Sequence, residues 1–248
     1  MLQIMYFAPF LILIQYTPSH EKTQVFPIVI AGFLWYSTIK RVNGSAYKYD
    51  INRSELGMKL FLVRHGQSVA NREQYYAGQS NVPLTEQGRR EAAAIRPILE
   101  NFFFDHVYSS DLSRALDTQR LALPNAIAEI TPLLREVDVG TLTGKSFSDV
   151  QAMQDTVSFL RRDFTAYGGE DMDMYCNRIR AFLSSQETKN YENVIAFTHG
   201  GTLTAMLRVV LGSAFNYSSV FSNNCAIHIF EYSGGKWRLL AWNYLGNL

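Results

Sequence analysis

The sequence has little cysteine, almost no net charge and no long apolar run. It contains 2 cysteines, 23 basic residues and 22 acidic residues among 248. Two cysteines are too few for a disulfide framework, so we interpret Cys176 and Cys225 as buried free thiols in the reducing cytoplasm. A net charge of +1 provides no chain-wide field, which argues against a nucleic-acid-binding protein and leaves anion recognition to local residues. Because 47% of the residues are hydrophobic, the chain can form a folded core.

Residues 1–57 differ from the rest of the chain. Apolar runs at residues 5–14 and 25–36 each contain a proline, and each is shorter than the roughly 20 apolar residues that cross a bilayer. No basic segment precedes the first run, which argues against a secretory signal. Because Met58 leads directly into a strand-like segment, we predict that residues 1–57 are an extension and that translation starts at Met58. The alternative is an expressed extension that lies against the domain or a membrane surface, and intact-mass measurement separates the two.

Residues 58–248 have the pattern of one α/β domain. Short β-branched runs alternate there with helical patterns, which is typical of βαβ units. We predict a three-layer α/β/α sandwich around a mostly parallel sheet, closed at one edge by a hairpin through Ser233-Gly234-Gly235. Helices are predicted from an N-cap at Thr85 to about residue 101 and at residues 111–122, 146–154, 171–185 and 201–211. Strands are predicted at residues 59–63, 106–108, 126–130, 193–197, 226–232 and 237–242.

Two histidines occupy equivalent places in this pattern. The first predicted strand ends in Arg64-His65-Gly66, and the strand at residues 193–197 ends in Thr198-His199-Gly200-Gly201. The carboxyl ends of parallel strands meet at one edge of a sheet, which is where open α/β proteins bind ligands. The two imidazoles are therefore predicted to share one site.

The residues around these histidines suit a phosphate group. A helix that starts near Gly201 directs backbone N–H groups and a positive dipole end towards an anion. Arg64 and Arg114 add guanidinium groups, whose donors match the geometry of phosphate oxygens. A phosphate ester is thus the predicted ligand.

The motif Leu62-Val63-Arg64-His65-Gly66-Gln67-Ser68, with Asn71, resembles the signature of the histidine phosphatase superfamily, which includes the cofactor-dependent phosphoglycerate mutases. The resemblance covers essentially residues 58–248. It continues in order through Pro83-Leu84-Thr85-Glu86-Gln87-Gly88, residues 109–114, Leu134-Arg135-Glu136 with Gly140 and Gly144, Gly168-Gly169-Glu170, residues 198–201 and Asn224-Cys225.

The resemblance implies a phosphoglycerate mutase-like fold and a role for each site residue. His65 is the expected nucleophile, Arg64, Arg114 and His199 form the phosphate pocket, and Glu136 is the proton donor. Further contacts to the phosphate or the substrate are expected from Ser68, Asn71, Gln79 and Gly200. Two arginines beside His65 also disfavour its imidazolium form, and the set of donors can stabilise phosphoryl transfer without a metal ion or another cofactor.

The expected activity is hydrolysis of a small phosphorylated metabolite, and three alternatives stay open. A mutase is the first, although the segment Val139-Gly140-Thr141-Leu142-Thr143-Gly144 and the short stretch to Gly168 favour a phosphatase. A serine hydrolase is the second, because Gly66-Gln67-Ser68-Val69-Ala70 differs from the G-x-S-x-G elbow only at its last position. The third is a non-catalytic phospho-ligand binder, although the expected catalytic residues are all present. The sequence does not select one phosphomonoester, and it predicts no oligomeric state.

Overall fold

The chain divides into two units, Met1–Arg53 and Ser54–Leu248. The computed structural model describes residues 57–153, 162–212 and 220–244 in full, and before residue 57 only the backbone of five strands. Two of these pair as β1 (Gln3–Phe7) and β2 (Phe10–Ile14), and three form an antiparallel sheet of β3 (Thr23–Ile30), β4 (Phe33–Val42) and β5 (Ser45–Tyr49). Within the described residues, no helix combines the length and apolar character that a membrane crossing requires. The predicted start at Met58 stays a prediction.

The second unit is built on a mixed sheet with the strand order β11-β10-β6-β9-β7-β8. Its four parallel strands are β6 (Met58–Arg64), β9 (Asn193–Thr198), β7 (His106–Ser109) and β8 (Glu129–Ile130). Strands β10 (Ile227–Ser233) and β11 (Lys236–Tyr244) are antiparallel and close one edge. The turn between them places Gly234 and Gly235 at φ values of 58° and 72°, a conformation that glycine adopts without steric cost. The predicted hairpin is confirmed.

Seven helices of the described residues accompany this sheet. They are α1 (Val69–Glu73), α2 (Glu86–Ala94), α3 (Arg96–Leu99), α4 (Ser113–Ala122), α5 (Phe147–Ala152), α6 (Met172–Glu187) and α7 (Gly200–Leu211). Short 3₁₀ helices lie at Pro132–Leu134, Gly140–Leu142 and Thr165–Tyr167.

The side chains of the central strand show why helices cover both faces of the sheet. Successive residues of a strand point to opposite faces, and all four residues 60–63 of β6 are fully buried. Leu60 and Leu62 pack in a core with residues of α6 and α7. Phe61 and Val63 pack in a second core with residues of α3 and α4. A strand that is apolar on both faces therefore needs a helical layer on each side, and the predicted three-layer α/β/α architecture is confirmed.

Two predicted elements differ from the structure. The helix predicted from Thr85 to residue 101 is broken at Ile95 into α2 and α3, because Pro97 lacks the N–H that would continue the helical ladder. The strand predicted at residues 126–130 is only Glu129–Ile130. Ala126 instead belongs to the turn that ends α4, where its N–H donates to Leu123 O and its carbonyl accepts from Gln119 Nε2. The last predicted residue of the helix at 146–154 lies outside the described residues.

Candidate active site

The two histidines meet at the carboxyl ends of neighbouring strands. Strands β6 and β9 pair in parallel with Arg64 opposite Thr198, so the next residue of each strand is a histidine. His65 N–H donates to Thr198 O at 2.9 Å, and the His65 and His199 rings lie 5.2 Å apart between centroids. Both rings are buried, with 3% of His65 and none of His199 exposed. The shared site predicted from the sequence is therefore formed by the sheet itself.

The hydrogen bonds of His65 leave one ring nitrogen unprotonated. Nδ1 lies 2.7 Å from Gly66 O, and because a carbonyl only accepts, Nδ1 carries the proton and Nε2 keeps its lone pair. Burial, followed by the charges of Arg114 and Arg64, holds the pKa of His65 well below its ordinary value of 6.5. The imidazole is therefore neutral near pH 7, which is the form that can attack phosphorus.

His199 is held by Ser110 and keeps one ring nitrogen unpaired. Its Nε2 lies 2.9 Å from Ser110 Oγ, which also accepts the N–H of Leu112. Its Nδ1 is buried and has no hydrogen-bond partner among the described residues. Burial and then Arg114 hold the pKa of His199 well below its ordinary value. A buried ring nitrogen without a partner is costly unless a ligand satisfies it.

Arg64 and Arg114 reach the site with their guanidinium groups anchored to backbone carbonyls. Arg64 Nη1 donates to Ser222 O, while its buried Nε has no partner among the described residues. Arg114 is 2% exposed and donates to Ser80 O at 2.8 Å and to Gly78 O at 2.9 Å. Burial lowers the pKa of both guanidinium groups below its ordinary value, and arginine keeps its charge in proteins. Carbonyls offset part of that charge without neutralising it, so both groups can still bind an anion.

Glu136 lies against the first turn of α7. Its Oε2 accepts from Gly201 N–H at 3.1 Å, and its Oε1 accepts from Val137 N–H at 2.9 Å and lies 3.1 Å from the Tyr175 hydroxyl. A helix N-terminus is a favourable place for a carboxylate. The loop that carries Glu136 is in turn held by Arg178, which donates to Leu133 O and Arg135 O at 2.9 Å.

The other predicted contacts divide into residues that line the cavity and one that does not. Ser68 and Asn71 line it, and they also form a capping box at the start of α1. Gly200 also lines the cavity. It lies close to the Arg64 side chain, since a Cβ added at Gly200 would be 3.3 Å from Arg64 Nε. Gln79 is not a lining residue, and its amide instead joins Glu136 O to the Arg135 guanidinium.

His65, Arg64 and Arg114 border a cavity of about 510 Å³, whereas His199 lies buried behind His65 and is not a lining residue. Beyond the charged end its wall is mainly apolar and aromatic, lined by Tyr76, Val139, Phe147, Phe164, Phe221 and Trp242. Arg162 also lines the cavity. The described residues contain no group of three or more His, Cys, Asp or Glu side chains that could hold a metal ion.

Several residues that sequence reasoning did not single out as site residues hold the loop of His65. Thr118 Oγ1 accepts from Gly66 N–H at 3.0 Å, and Asn224 Nδ2 donates to His65 O at 2.9 Å. Ser222, which binds Arg64, is itself paired with His228 Nε2 at 2.9 Å. Asn224 belonged to a recognised motif, whereas Thr118, Ser222 and His228 did not, and all of these contacts join residues more than 50 positions apart except the one between Ser222 and His228.

Comparison with known proteins agrees with this geometry. A family model described as the histidine phosphatase superfamily, branch 1, matches residues 60–245. The Proteus mirabilis protein named "Probable phosphoglycerate mutase GpmB" is 28% identical over 193 residues, covering 75% of this chain and 90% of that protein. Fructose-2,6-bisphosphatase TIGAR B of Danio rerio is 31% identical over 157 residues, covering 60% of this chain and 59% of that protein.

A solved structure has the same fold. A mycobacterial glucosyl-3-phosphoglycerate phosphatase in complex with VO3 superposes with a TM-score of 0.66 at 23% identity, covering 75% of this chain and 98% of that chain. Because the family model spans most of the chain, this protein belongs to branch 1 of the histidine phosphatase superfamily.

Proposed function

We propose that this protein hydrolyses a small phosphorylated metabolite, without a metal ion, through a phosphohistidine at His65. The observation that carries the proposal is the state of the His65 ring, which has Nδ1–H bound to Gly66 O and a neutral Nε2. The ring shares its site with the buried Arg114 and the partly buried Arg64. Such a nitrogen is a nucleophile, and the cations around it favour a phosphate as the electrophile.

In the first half of the reaction, His65 Nε2 forms a bond to phosphorus while the bond from phosphorus to the ester oxygen breaks. The charge on the equatorial oxygens is stabilised by Arg64, Arg114, His199 and the N-terminus of α7. The leaving oxygen takes a proton from the Glu136 carboxyl group.

In the second half, a water molecule attacks phosphorus and the bond to Nε2 breaks, which releases phosphate and restores the imidazole. Glu136, now ionised, accepts the proton that the water loses, so one carboxyl group serves both halves. Glu136 lines the same cavity as His65, which supports this double role.

Hydrolysis is favoured over mutase activity by the loops around the cavity. A mutase must keep its phosphorylated intermediate away from water, and a longer segment over the site would serve that purpose. The segment between Gly144 and Gly168 is short in this chain, which favours a phosphatase. The cavity of about 510 Å³ leaves room beyond the phosphate for an organic group. Because both cysteines are buried free thiols, we place the reaction in the reducing cytoplasm.

The test is a phosphatase assay on a panel of phosphomonoesters in the presence of EDTA, beside a mutase assay with bisphosphoglycerate. Substrate-trapped wild-type enzyme should contain acid-labile phosphohistidine, and His65→Asn should contain none and lose turnover. Metal-dependent turnover, or turnover that survives His65→Asn and is lost in Ser68→Ala, would disprove the proposal. Mutase turnover that exceeds phosphate release would favour the mutase.

A further inference from the structure

Glu136 has a neighbour that the proposed mechanism does not use. Tyr175 lies on α6, and its hydroxyl is 3.1 Å from Glu136 Oε1 and 2.7 Å from Thr202 Oγ1. The ring is 1% exposed and does not line the cavity. A buried hydroxyl against the carboxyl group of the proposed acid therefore acts on the reaction only through that group.

The Tyr175 hydroxyl keeps its proton and can donate it. Burial, followed by the charge of Glu136, raises the pKa of Tyr175 well above its ordinary value of 10. Thr202 Oγ1 lies 3.0 Å from Arg135 O, to which it can donate. The phenol proton then has two acceptors, Arg135 O at 3.2 Å and Glu136 Oε1 at 3.1 Å. The carboxylate is the stronger of the two, so the proton goes to Glu136.

The ring of Tyr175 is fixed as well as buried. The Arg178 guanidinium carbon lies 4.5 Å from the ring centroid, a favourable cation–π contact. The same arginine forms an ion pair with Glu170 at 2.8 Å and donates to Glu136 O at 3.3 Å. One cluster thus holds both the acid and the phenol.

Counting donors distinguishes the two carboxylate oxygens of Glu136. A carboxylate has about four lone-pair sites, two on each oxygen. Val137 N–H and the Tyr175 hydroxyl occupy both sites of Oε1, whereas Gly201 N–H occupies a single site of Oε2. The proton that Glu136 exchanges therefore has its place on Oε2.

We propose that Tyr175 is a positioning residue for proton transfer, which keeps Oε1 occupied and presents Oε2 of Glu136 to the leaving oxygen. This inference rests on the proposed role of Glu136 as the acid. When the phosphorus–oxygen bond breaks, the proton passes from Oε2 to the leaving alkoxide, and Tyr175 stabilises the carboxylate that remains.

The experiment compares two kinds of ester, because only one needs the proton. p-Nitrophenolate leaves without protonation, whereas an alkoxide requires it. We would measure kcat/KM, which reports the first phosphoryl transfer, for p-nitrophenyl phosphate and for the alkyl phosphomonoester turned over fastest in the panel above. Tyr175→Phe should lower the alkyl value about tenfold more than the p-nitrophenyl value, a part of the 10²–10⁴-fold that general acid catalysis contributes.

Tyr191→Phe is the matched control. It also removes a phenol, one that lies 3.3 Å from His106 Nδ1 beside the amino ends of the parallel strands, and it should leave the ratio of the two values unchanged. If Tyr175→Phe does not fold, Tyr175→Met fills the same space with a flexible apolar side chain and should shift the ratio in the same direction.

An equal fall for both esters, or no fall, would overturn the positioning role and show that Tyr175 only supports the fold. Failure of the proposed function is a separate outcome. In that case the wild-type enzyme forms no phosphohistidine, whatever the ratio for Tyr175→Phe.

Discussion

Replacing Gly201 with alanine should separate the proposed catalytic role of Glu136 from the stability of the domain. Gly201 lies in the first turn of α7, where its N–H donates to Glu136 Oε2 at 3.1 Å. A Cβ at this position would lie 2.0 Å from Glu136 Oε1 and 3.0 Å from its Cδ. The carboxyl group cannot stay where it is in the Gly201→Ala protein.

The size of the effect follows from the distance. A carbon–oxygen contact needs about 3.3 Å, so the carboxyl group must retreat by roughly 1.3 Å and lose its bond to the helix N-terminus. A displacement of about 1 Å can cost about 10²-fold in rate, which corresponds to about 2.7 kcal/mol in the transition state. Alanine should meanwhile favour the helix by up to about 1 kcal/mol, which offsets part of the strain in the folded state.

Gly212→Ala is the matched control at the other end of the same helix. Gly212 has φ 86° and ψ 167°, a conformation that essentially only glycine adopts, and an added Cβ would meet nothing within 4 Å. The change should therefore cost about 1–3 kcal/mol of stability through backbone strain and leave Glu136 in place.

The assay measures kcat/KM for an alkyl phosphomonoester together with the free energy of unfolding in urea. Gly201→Ala should lose about 10²-fold in kcat/KM with little change in the free energy of unfolding. Gly212→Ala should lower the free energy of unfolding and leave kcat/KM unchanged. Wild-type turnover by Gly201→Ala on the alkyl ester would refute the assignment of Glu136 as the acid. A loss that tracks stability in both variants would refute the positional argument.

Three further predictions follow from the same geometry. His65→Asn should abolish the phosphoenzyme while keeping the fold, as read by circular dichroism, and any remaining acid-labile phosphate would contradict the role of His65. Ser68→Ala should lose about 1 kcal/mol of stability, or about 2–4 °C in Tm, because the hydroxyl caps α1. Its turnover should fall but not vanish, because Ser68 lines the cavity as an expected phosphate contact, whereas complete loss of turnover with phosphohistidine absent would favour the serine hydrolase. Burial and Arg64 lower the pKa of His228 to about 3, and the pKa values of His65 and His199 are also depressed, so stability should be complete above pH 6.5 and fall as the pH drops towards 3. Below pH 6.5 the unfolded state binds protons that the folded state does not bind, which lowers the free energy of unfolding by about 1.4 kcal/mol per pH unit for each histidine. When the free energy of unfolding is measured in urea from pH 7.5 to 5, it should fall less steeply with pH for His228→Gln than for the wild type.

Much of the fold was predictable because local patterns and tertiary packing agree. β6 and β9 were predicted within one residue at each end, since apolar runs of that length must be buried on both faces of a sheet. The break at Pro97 and the turn at Ala126 were missed. The break was readable from Pro97 itself, which cannot continue a helical ladder, whereas the turn at Ala126 depends on hydrogen bonds that periodicity does not report.

The candidate site was predictable where residues follow strands or belong to a motif. His65 and His199 follow neighbouring parallel strands, so topology alone brings them together. Gln79 shows the limit, because its position in the chain suggested a substrate contact, which stays a prediction, and did not suggest that its amide joins the Arg135 and Glu136 segments.

The amino-acid sequence by itself determined the alternation of strands and helices, the pairing of two histidines at one sheet edge and the presence of two arginines for a phosphate. These features depend on residue type and spacing along the chain. Only the tertiary structure decided which nitrogen of His65 is unprotonated and which oxygen of Glu136 has a free lone pair. Those properties depend on hydrogen bonds, several of them to residues far away in the chain, such as Tyr175 and Gly201.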